Sequence, residues 1–208
     1  MNGNAFTVFL VDDDPGVLKA LARLLQARGY AVESFTSPEA FLGSHDASVP
    51  GCAVLDVSMP DLDGLALQQA LTASGSQRPV IFLTGKGDIP TSVRAMRAGA
   101  IDFLTKPVND TDLLAAIARA ETDDLESRSA NARVNTINAK LAMLTPRERE
   151  VMTHVIAGRL NKQIAGDLGT VEKTVKVHRG RMMNKLGVRS VADLVRLAEL
   201  AGIGRSEP

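Results

Sequence analysis

The chain has 208 residues, 45% of them hydrophobic, and its 24 basic and 24 acidic side chains balance to a formal charge of zero. That length allows one large or two ordinary domains, and the apolar content suffices for a buried core, which argues against wholesale disorder. No apolar run is long enough to span a membrane; the early stretch from Val8 to Val11 is stopped by Asp12, Asp13 and Asp14, which argues against a secretory signal, and the sole cysteine, Cys52, excludes an internal disulfide and fits a reducing cytoplasm.

The zero net charge conceals an asymmetry. Residues 1–141 carry 12 basic and 17 acidic side chains, a balance of −5, whereas residues 142–208 carry 12 and 7, a balance of +5. The first part is suited to holding a cation and the second to meeting nucleic acid.

In chain order, Thr7–Val11, Ala31–Phe35, Cys52–Leu55, Val80–Leu83 and Ile101–Leu104 read as strands. They are short and mostly lack polar alternation, as expected of strands buried on both faces of a parallel sheet. Between them lie segments with apolar residues three and four apart: Val17, Leu18, Leu21, Leu24 and Leu25; Leu65, Leu67 and Leu71; and Val93 and Met96, with Arg97 leading into Gly99. Asp14 before Pro15 and Ser37 before Pro38 are good helix starts. Five such β-α units predict a doubly wound α/β domain with a five-stranded parallel sheet.

From Leu113 the pattern becomes helical. Residues 122–140 are polar, yet Val134, Ile137, Leu141 and Leu144 fall three or four apart. Two readings stay open, a solvated connector and a helical spacer with one narrow apolar stripe. Thr145-Pro146-Arg147-Glu148 then carries a capping box and opens an all-helical region. The expected division is 1–121 for the α/β domain, 122–141 for a helical linker and 142–208 for a smaller all-α domain.

In a doubly wound sheet the carboxyl ends of the strands face the ligand. Asp12, Asp13 and Asp14 follow the first strand, Asp56 ends the third, Thr84 ends the fourth, and Lys106 comes just after the fifth. Clustered carboxylates repel, and a hard cation such as Mg²⁺ resolves that repulsion through oxygen ligands. A carboxylate can then attack a phosphoryl group to form an acyl phosphate. An ammonium and a hydroxyl stabilise the phosphoryl oxygens. Each residue alone has a duller reading as a cap, a surface charge or a strand terminus; the coincidence of four strand ends carries the argument.

Val11-Asp12-Asp13, Leu55-Asp56 with Met59-Pro60 and Asp63-Gly64, Thr84, and Lys106-Pro107 resemble, in order and spacing, the receiver domain of two-component response regulators over residues 5–121. The resemblance implies a flavodoxin-like fold with Asp56 as phosphoacceptor. It implies that Asp12 and Asp13 form an acidic pocket, with Asp13, Asp56 and the backbone carbonyl of Ser58 binding Mg²⁺. Lys106 would contact the phosphoryl group, Thr84 would follow it on activation, and Phe103 falls at the family's switch aromatic. Gly85, where many members carry alanine, should leave the site open to small donors and water, and Ser58 and Lys86 would flank it and tune hydrolysis.

In the basic region, Gln163 to Val175 reads as helix, tight turn, helix, with Ala165 small at the helix crossing, Gly169 in the turn and Thr170 as cap of the second helix. Val171, Val175, Met182 and Leu186 should face the core, leaving Lys173, Lys176, Val177, Gly180, Arg181 and Asn184 on the opposite side. A basic face with a small apolar residue suits the DNA major groove, although an isolated helix more often bears such a face only for solvation. Ser190 is expected to cap a last helix, Val191–Ala201, whose apolar stripe serves a core, a dimer surface or both.

Leu144-Thr145-Pro146-Arg147-Glu148 with Glu150-Val151, Asn161-Lys162-Gln163-Ile164-Ala165, and Thr174-Val175-Lys176-Val177-His178 resemble the LuxR/NarL-type helix-turn-helix domain from about 142 to 203. With Gly87-Asp88-Ile89-Pro90 the chain is most similar to the FixJ-type branch of that family. The resemblance implies that Lys176 and Val177 read bases, that Lys173, Arg179 and Arg181 meet phosphates, and that Gly180 forgoes a contact relatives make with lysine. His178 is expected to be packed or bonded to backbone. The implied partners are a sensor histidine kinase, two-fold-related double-stranded promoter DNA, RNA polymerase and, after phosphorylation, a second copy of the chain, with activation of transcription as the outcome. Two rivals are a phosphatase with an aspartyl-phosphate intermediate, weakened by Ser58 where a second acid is usual, and a phosphate-accepting module whose C-terminal helices bind protein.

Overall fold

A computed structural model describes residues 6–85 and 89–203. Lys86, Gly87 and Asp88, part of the reading above, lie outside the described residues. The chain divides into two compact units, Met1–Arg128 and Ser129–Pro208. Among the described residues no helix is long and apolar enough to cross a membrane.

The first unit contains β1 (Thr7–Val11), α1 (Pro15–Ala27), β2 (Ala31–Phe35), α2 (Pro38–Ser44), β3 (Gly51–Asp56), α3 (Gly64–Ala73), β4 (Val80–Thr84), α4 (Ile89–Arg97), β5 (Asp102–Thr105) and the start of α5 (Asp110–Ala142). The strands form one parallel sheet in the order β2-β1-β3-β4-β5. Strand order reverses between β1 and β3, which opens a crevice at their carboxyl ends.

β1, β3 and β4 are buried along their whole length because successive side chains feed two cores. Val8, Leu10, Val54, Ile81 and Leu83 pack with Leu18, Leu21 and Leu25 of α1 and Leu113 and Ile117 of α5. Phe9, Leu55 and Phe82 pack on the other face with Phe41, Leu67, Leu71 and Ala95 of α2, α3 and α4. Each fully buried large apolar side chain contributes roughly 1.5–3 kcal/mol relative to exposure.

The expectation of burial on both faces fails at the edges. β2 is exposed or half-buried throughout, and β5 is half-buried with an exposed end, since each lacks a neighbour on one side. α4 departs further: its buried residue is Ala95, while Val93 and Met96, the pair that suggested the helix, are exposed. The caps follow the sequence. Asp14 accepts from Gly16 N and Val17 N, Ser37 from Ala40 N, and Asp63 from Ala66 N.

The polar segment after residue 121 is helical, and its beginning belongs to the first unit. Asp124 is buried, accepts from the Gly51 amide at 3.3 Å and pairs with Arg128 at 2.8 Å. Arg128 also donates to the carbonyls of Ala47, Ser48 and Val49 at 2.9, 2.9 and 2.7 Å. Here the solvated-connector reading gives way to a docked helix.

The second unit holds α6 (Pro146–Ile156), α7 (Asn161–Asp167), α8 (Glu172–Leu186) and α9 (Val191–Leu200) around Val151, Met152, Ile164, Val175, Met182, Leu186 and Leu194. Ile137, Leu141 and Leu144 of the apolar stripe join this core. α9 ends at Leu200, one residue short of expectation, with Ala201 as its C-cap and Leu197 and Ala198 facing the core.

The Thr145–Glu148 capping box is present, and it does more than start α6. Glu148 is almost fully buried and takes a 2.6 Å bond from Lys185 of α8. Lys185 and the Thr145 amide hold the Glu148 carboxyl below the usual carboxylate range, against the opposing effect of burial. A group whose folded pKa is depressed contributes stability above its unfolded pKa, about 4.3 for glutamate, and loses it as pH falls through the folded value. Glu148→Gln should therefore lower stability at neutral pH and flatten the acid-induced unfolding of this unit below that range. Amide signals of α6 and α8 in the full chain, followed during acid titration, check this; an unchanged acid dependence would contradict it.

Candidate functional site

The crevice at the carboxyl ends of β1, β3 and β4 gathers three of the expected groups into one cluster. Lys106 Nζ lies 2.6 Å from Asp12 Oδ2 and 2.7 Å from Asp56 Oδ1. Both carboxylates are nearly inaccessible, whereas the lysine side chain is about a quarter exposed. Burial opposes the ammonium charge, but the hydrogen bonds and charges of Asp12 and Asp56 outweigh it and raise the Lys106 pKa above that of ordinary lysine.

The backbone holds each member in place. Asp12 Oδ1 accepts from the Asp14 amide at 3.0 Å, and Asp56 Oδ2 accepts from the Ser58 amide at 2.8 Å. The Lys106 amide donates to the Thr84 carbonyl at 2.7 Å, which ties the lysine to the end of β4. The Lys106–Pro107 peptide is cis.

Thr84 is buried at the end of β4. Phe82 and Phe103 are register partners, and their ring centroids lie 6.2 Å apart. Side chains alternate along a strand, so Thr84 points to the same face as Phe82 and Phe103. Phe103 is half-buried against the core under α2, α3 and α4. Gly85 is exposed, and a Cβ there would meet no atom of the described residues within 4 Å.

Asp13 is exposed and stands outside the ion-paired cluster. Among the described residues no three carboxylate, imidazole or thiol side chains are grouped to hold a metal. The chemistry of the donor set still fits Mg²⁺, since carboxylates and a backbone carbonyl are hard oxygen ligands. In the present arrangement Lys106 is the cation between Asp12 and Asp56.

Two supports go beyond the sequence reading, which names Gly64 only within the Asp63-Gly64 motif and does not single out Asp61. Gly64 opens α3 directly against the phosphoacceptor candidate: a Cβ there would lie 2.3 Å from the Asp56 carbonyl oxygen and 3.1 Å from Phe82 Cε1. Asp61, in the same loop, has a φ of 64°, a left-handed conformation that aspartate tolerates better than most residues. The Asp63-Gly64 motif does not by itself say that Gly64 packs on Asp56, and Asp61 has no distinctive pattern.

In the second unit α7 and α8 form a helix-turn-helix, and Gly169 takes the positive φ of 61° that its turn requires. The cap of α8 is Val171, not Thr170; the Thr170 amide is spent on the Ala165 carbonyl at 2.9 Å, closing the turn. Val171 is accordingly exposed and does not join the core, while Val175, Met182 and Leu186 do.

Lys173, Lys176, Val177, Gly180 and Arg181 are exposed. Lys176 pairs with Glu172 one turn earlier at 2.9 Å, in an exposed position where such a pair contributes little. Arg179 differs from the other basic residues: it is half-buried and donates to Asn161 Oδ1 of α7 at 3.0 Å. His178 is half-buried with Nδ1 enclosed and unbonded, so it is a packed residue.

Comparison with known proteins finds two family matches. Residues 8–118 match the response regulator receiver domain, and residues 142–198 match the luxR family of bacterial regulatory proteins. The response regulator protein TodT of Pseudomonas putida is 43% identical over 96% of this chain and 88% of its own length. The transcriptional regulatory protein FixJ of Rhizobium meliloti is 41% identical over 97% of this chain and 98% of its own. Among solved structures, the response regulator StyR superposes with a TM-score of 0.82 at 46% identity, covering 94% of this chain and 98% of that one.

Proposed function

The chain belongs to the FixJ-type response regulators, phosphorylation-controlled transcription regulators that join a receiver domain to a LuxR-type DNA-binding domain, and from that membership we propose that Asp56 is its phosphoacceptor and α8 its DNA-reading helix. The observation that carries the proposal is the buried Asp12–Lys106–Asp56 cluster at the strand ends, with Thr84 beside it at the end of β4.

A carboxylate oxygen of Asp56 attacks the phosphorus of a phosphohistidine on a sensor kinase. The new P–O bond replaces the P–N bond, and the imidazole leaves. Lys106 moves with the negative charge: its ammonium, now shared by two carboxylates, compensates the phosphoryl oxygens on Asp56. Asp12, Asp13, Asp56 and the Ser58 carbonyl would hold Mg²⁺, which supplies charge neutralisation at the transferring phosphoryl group. The Thr84 hydroxyl then donates to a phosphoryl oxygen, and Phe103, on the same face, turns into the space it leaves. That is a local charge change biasing a two-state element. Self-dephosphorylation is a separate slow exit, in which water attacks phosphorus, the P–O bond to Asp56 breaks and inorganic phosphate leaves, with access past the uncrowded position at Gly85.

The altered face of α4, β5 and α5 promotes pairing of two chains, whose α8 helices read a two-fold-related promoter site. Lys176 and Val177 contact base edges. Lys173, Arg179 and Arg181 contact phosphates, and RNA polymerase is recruited to activate transcription. The charge balance of +5 over 142–208 supports DNA as the partner.

Intact mass after incubation with acetyl phosphate and Mg²⁺ tests the central assignment. One phosphoryl adduct is expected on the wild-type chain and none on Asp56→Asn. An adduct that survives in Asp56→Asn would move the phosphoacceptor elsewhere.

A further inference from the structure

Within α8, Lys176 is paired with Glu172 at 2.9 Å and Lys185 with Glu148 at 2.6 Å, so each spends charge on a carboxylate. Arg179 has no carboxylate within 4.0 Å among the described residues. Its partner is neutral: Nη1 donates at 3.0 Å to Oδ1 of Asn161, the first residue of α7. A guanidinium can only donate, so the contact turns the amide oxygen of Asn161 toward α8. Among the described residues the guanidinium makes no other hydrogen bond, and the rest of its planar fork remains for an oxyanion.

Arg179 follows buried Val175 by four residues and exposed Lys176 by three. Residues so spaced are neighbours on a helix surface. Arg179 therefore stands on the border between the packed side of α8 and its basic face, and it is half-buried. A long side chain on that border has several courses, and the bond to Asn161 sets it beside the start of α7. In helix-turn-helix docking the helix before the reading helix crosses the DNA backbone. A guanidinium tied to the first residue of α7 thus stands where a phosphate passes. Residue type matters as much as position. α7 has no acidic residue in its first turn, although an aspartate at 161 would suit the helix start and could hold the same nitrogen. It would also neutralise the cation. Asparagine fixes the guanidinium and leaves its charge for the DNA.

We propose that Asn161 is a positioning residue for DNA binding: it holds Arg179 beside the start of α7, with its charge unspent, for one backbone phosphate. The proposal rests on the reading of α8 as the DNA-reading helix and of Arg179 as a phosphate contact. Phosphates carry no sequence information, so the contact sets affinity for any duplex rather than the choice of bases.

The test measures binding of the full chain to a mixed-sequence DNA duplex over a range of salt, with acetyl phosphate and Mg²⁺ present throughout. Arg179→Met should weaken binding at least about fivefold at low salt. It should also flatten the dependence of log affinity on log salt by about 0.9, the share of one phosphate. Asn161→Ala should weaken binding about threefold or more in the wild-type background, and less than about 1.5-fold in the Arg179→Met background. An asparagine that merely supports α7 would cost the same in both. Asn161→Asp keeps the hydrogen bond and suits the helix start, so the thermal midpoint of the second unit should not fall. It should nevertheless flatten the salt dependence as Arg179→Met does. Equal losses from Asn161→Ala in the two backgrounds, or no loss in either, would overturn the proposal, as would an Asn161→Asp chain that binds like the wild type. Arg179→Met with unchanged affinity and slope would remove the phosphate contact itself. Salt-independent binding by the wild type would instead strike the reading of α8 as a DNA-reading helix.

Discussion

Lys106→Met should destabilise the first unit by roughly 3 kcal/mol, and Mg²⁺ should restore more stability to the variant than to the wild type. Among the described residues the ammonium is the only cation bonded to these two carboxylates, which are themselves almost fully buried, at 2.6 and 2.7 Å. Removing one partner of a buried ion pair typically costs 3–5 kcal/mol, because the remaining charge stays desolvated. Here the lysine is about a quarter exposed, which puts the expected loss at the low end. Methionine fills much of the lysine stem volume, so the effect is one of charge rather than of packing. A divalent cation neutralises the stranded carboxylates and stabilises the state that binds it. In the wild type the ammonium already performs part of that task, so the gain is smaller. Thermal unfolding with and without Mg²⁺ measures both. A variant as stable as the wild type would show that the carboxylates do not depend on Lys106. A destabilised variant that ignores Mg²⁺ would remove the metal from this crevice.

Much of this site was legible because its chemistry sits where topology puts it. Asp12, Asp56, Thr84 and Lys106 each follow an apolar run, and parallel strands bring those runs into register at one edge. The two-sided burial of β1, β3 and β4 has a direct signature in uninterrupted apolar residues. The edge strands differ: β2 carries Glu33 and Ser34, and β5 begins with Asp102 and ends with Thr105, a polar content that fits their incomplete burial. α4 misled: the spacing of Val93 and Met96 is helical, but spacing does not say which face meets the core, and Ala95 meets it instead. Long-range partners left no local trace. Glu148 read as a capping residue without its bond to Lys185, and the polar segment after residue 121 read as an open choice until Asp124 and Arg128 were seen docked on the loop before β3. At α8 the cap position is Val171, one residue after Thr170, and it makes no side-chain cap bond, so nothing in the residue type marks it.

Gly64 lies against the Asp56 backbone and Gly85 follows Thr84 at the end of β4, and alanine at the two positions should have opposite consequences. At Gly64 a Cβ falls 2.3 Å from the Asp56 carbonyl oxygen, a backbone atom in a central strand, so α3 or the end of β3 must move. The Gly64 amide also donates to the Val57 carbonyl at 3.1 Å, which leaves little freedom for the helix to back away. Alanine ordinarily improves a helix by up to about 1 kcal/mol over glycine. Overpacking costs typically 1–3 kcal/mol and should win here. Because the atom displaced belongs to Asp56, Gly64→Ala should also slow phosphoryl uptake from acetyl phosphate at least about tenfold, as small misplacements of a reacting group do. At Gly85 the added Cβ meets nothing among the described residues within 4 Å. Gly85→Ala should leave stability within about 0.5 kcal/mol of wild type, the usual range for an exposed site. It should nevertheless lengthen the life of the acyl phosphate by narrowing the approach of water. Unfolding midpoints and the decay of the phosphoryl adduct by intact mass separate the two glycines. Equal stability of both variants would mean that α3 yields to the new methyl group and that Gly64 does not seat Asp56.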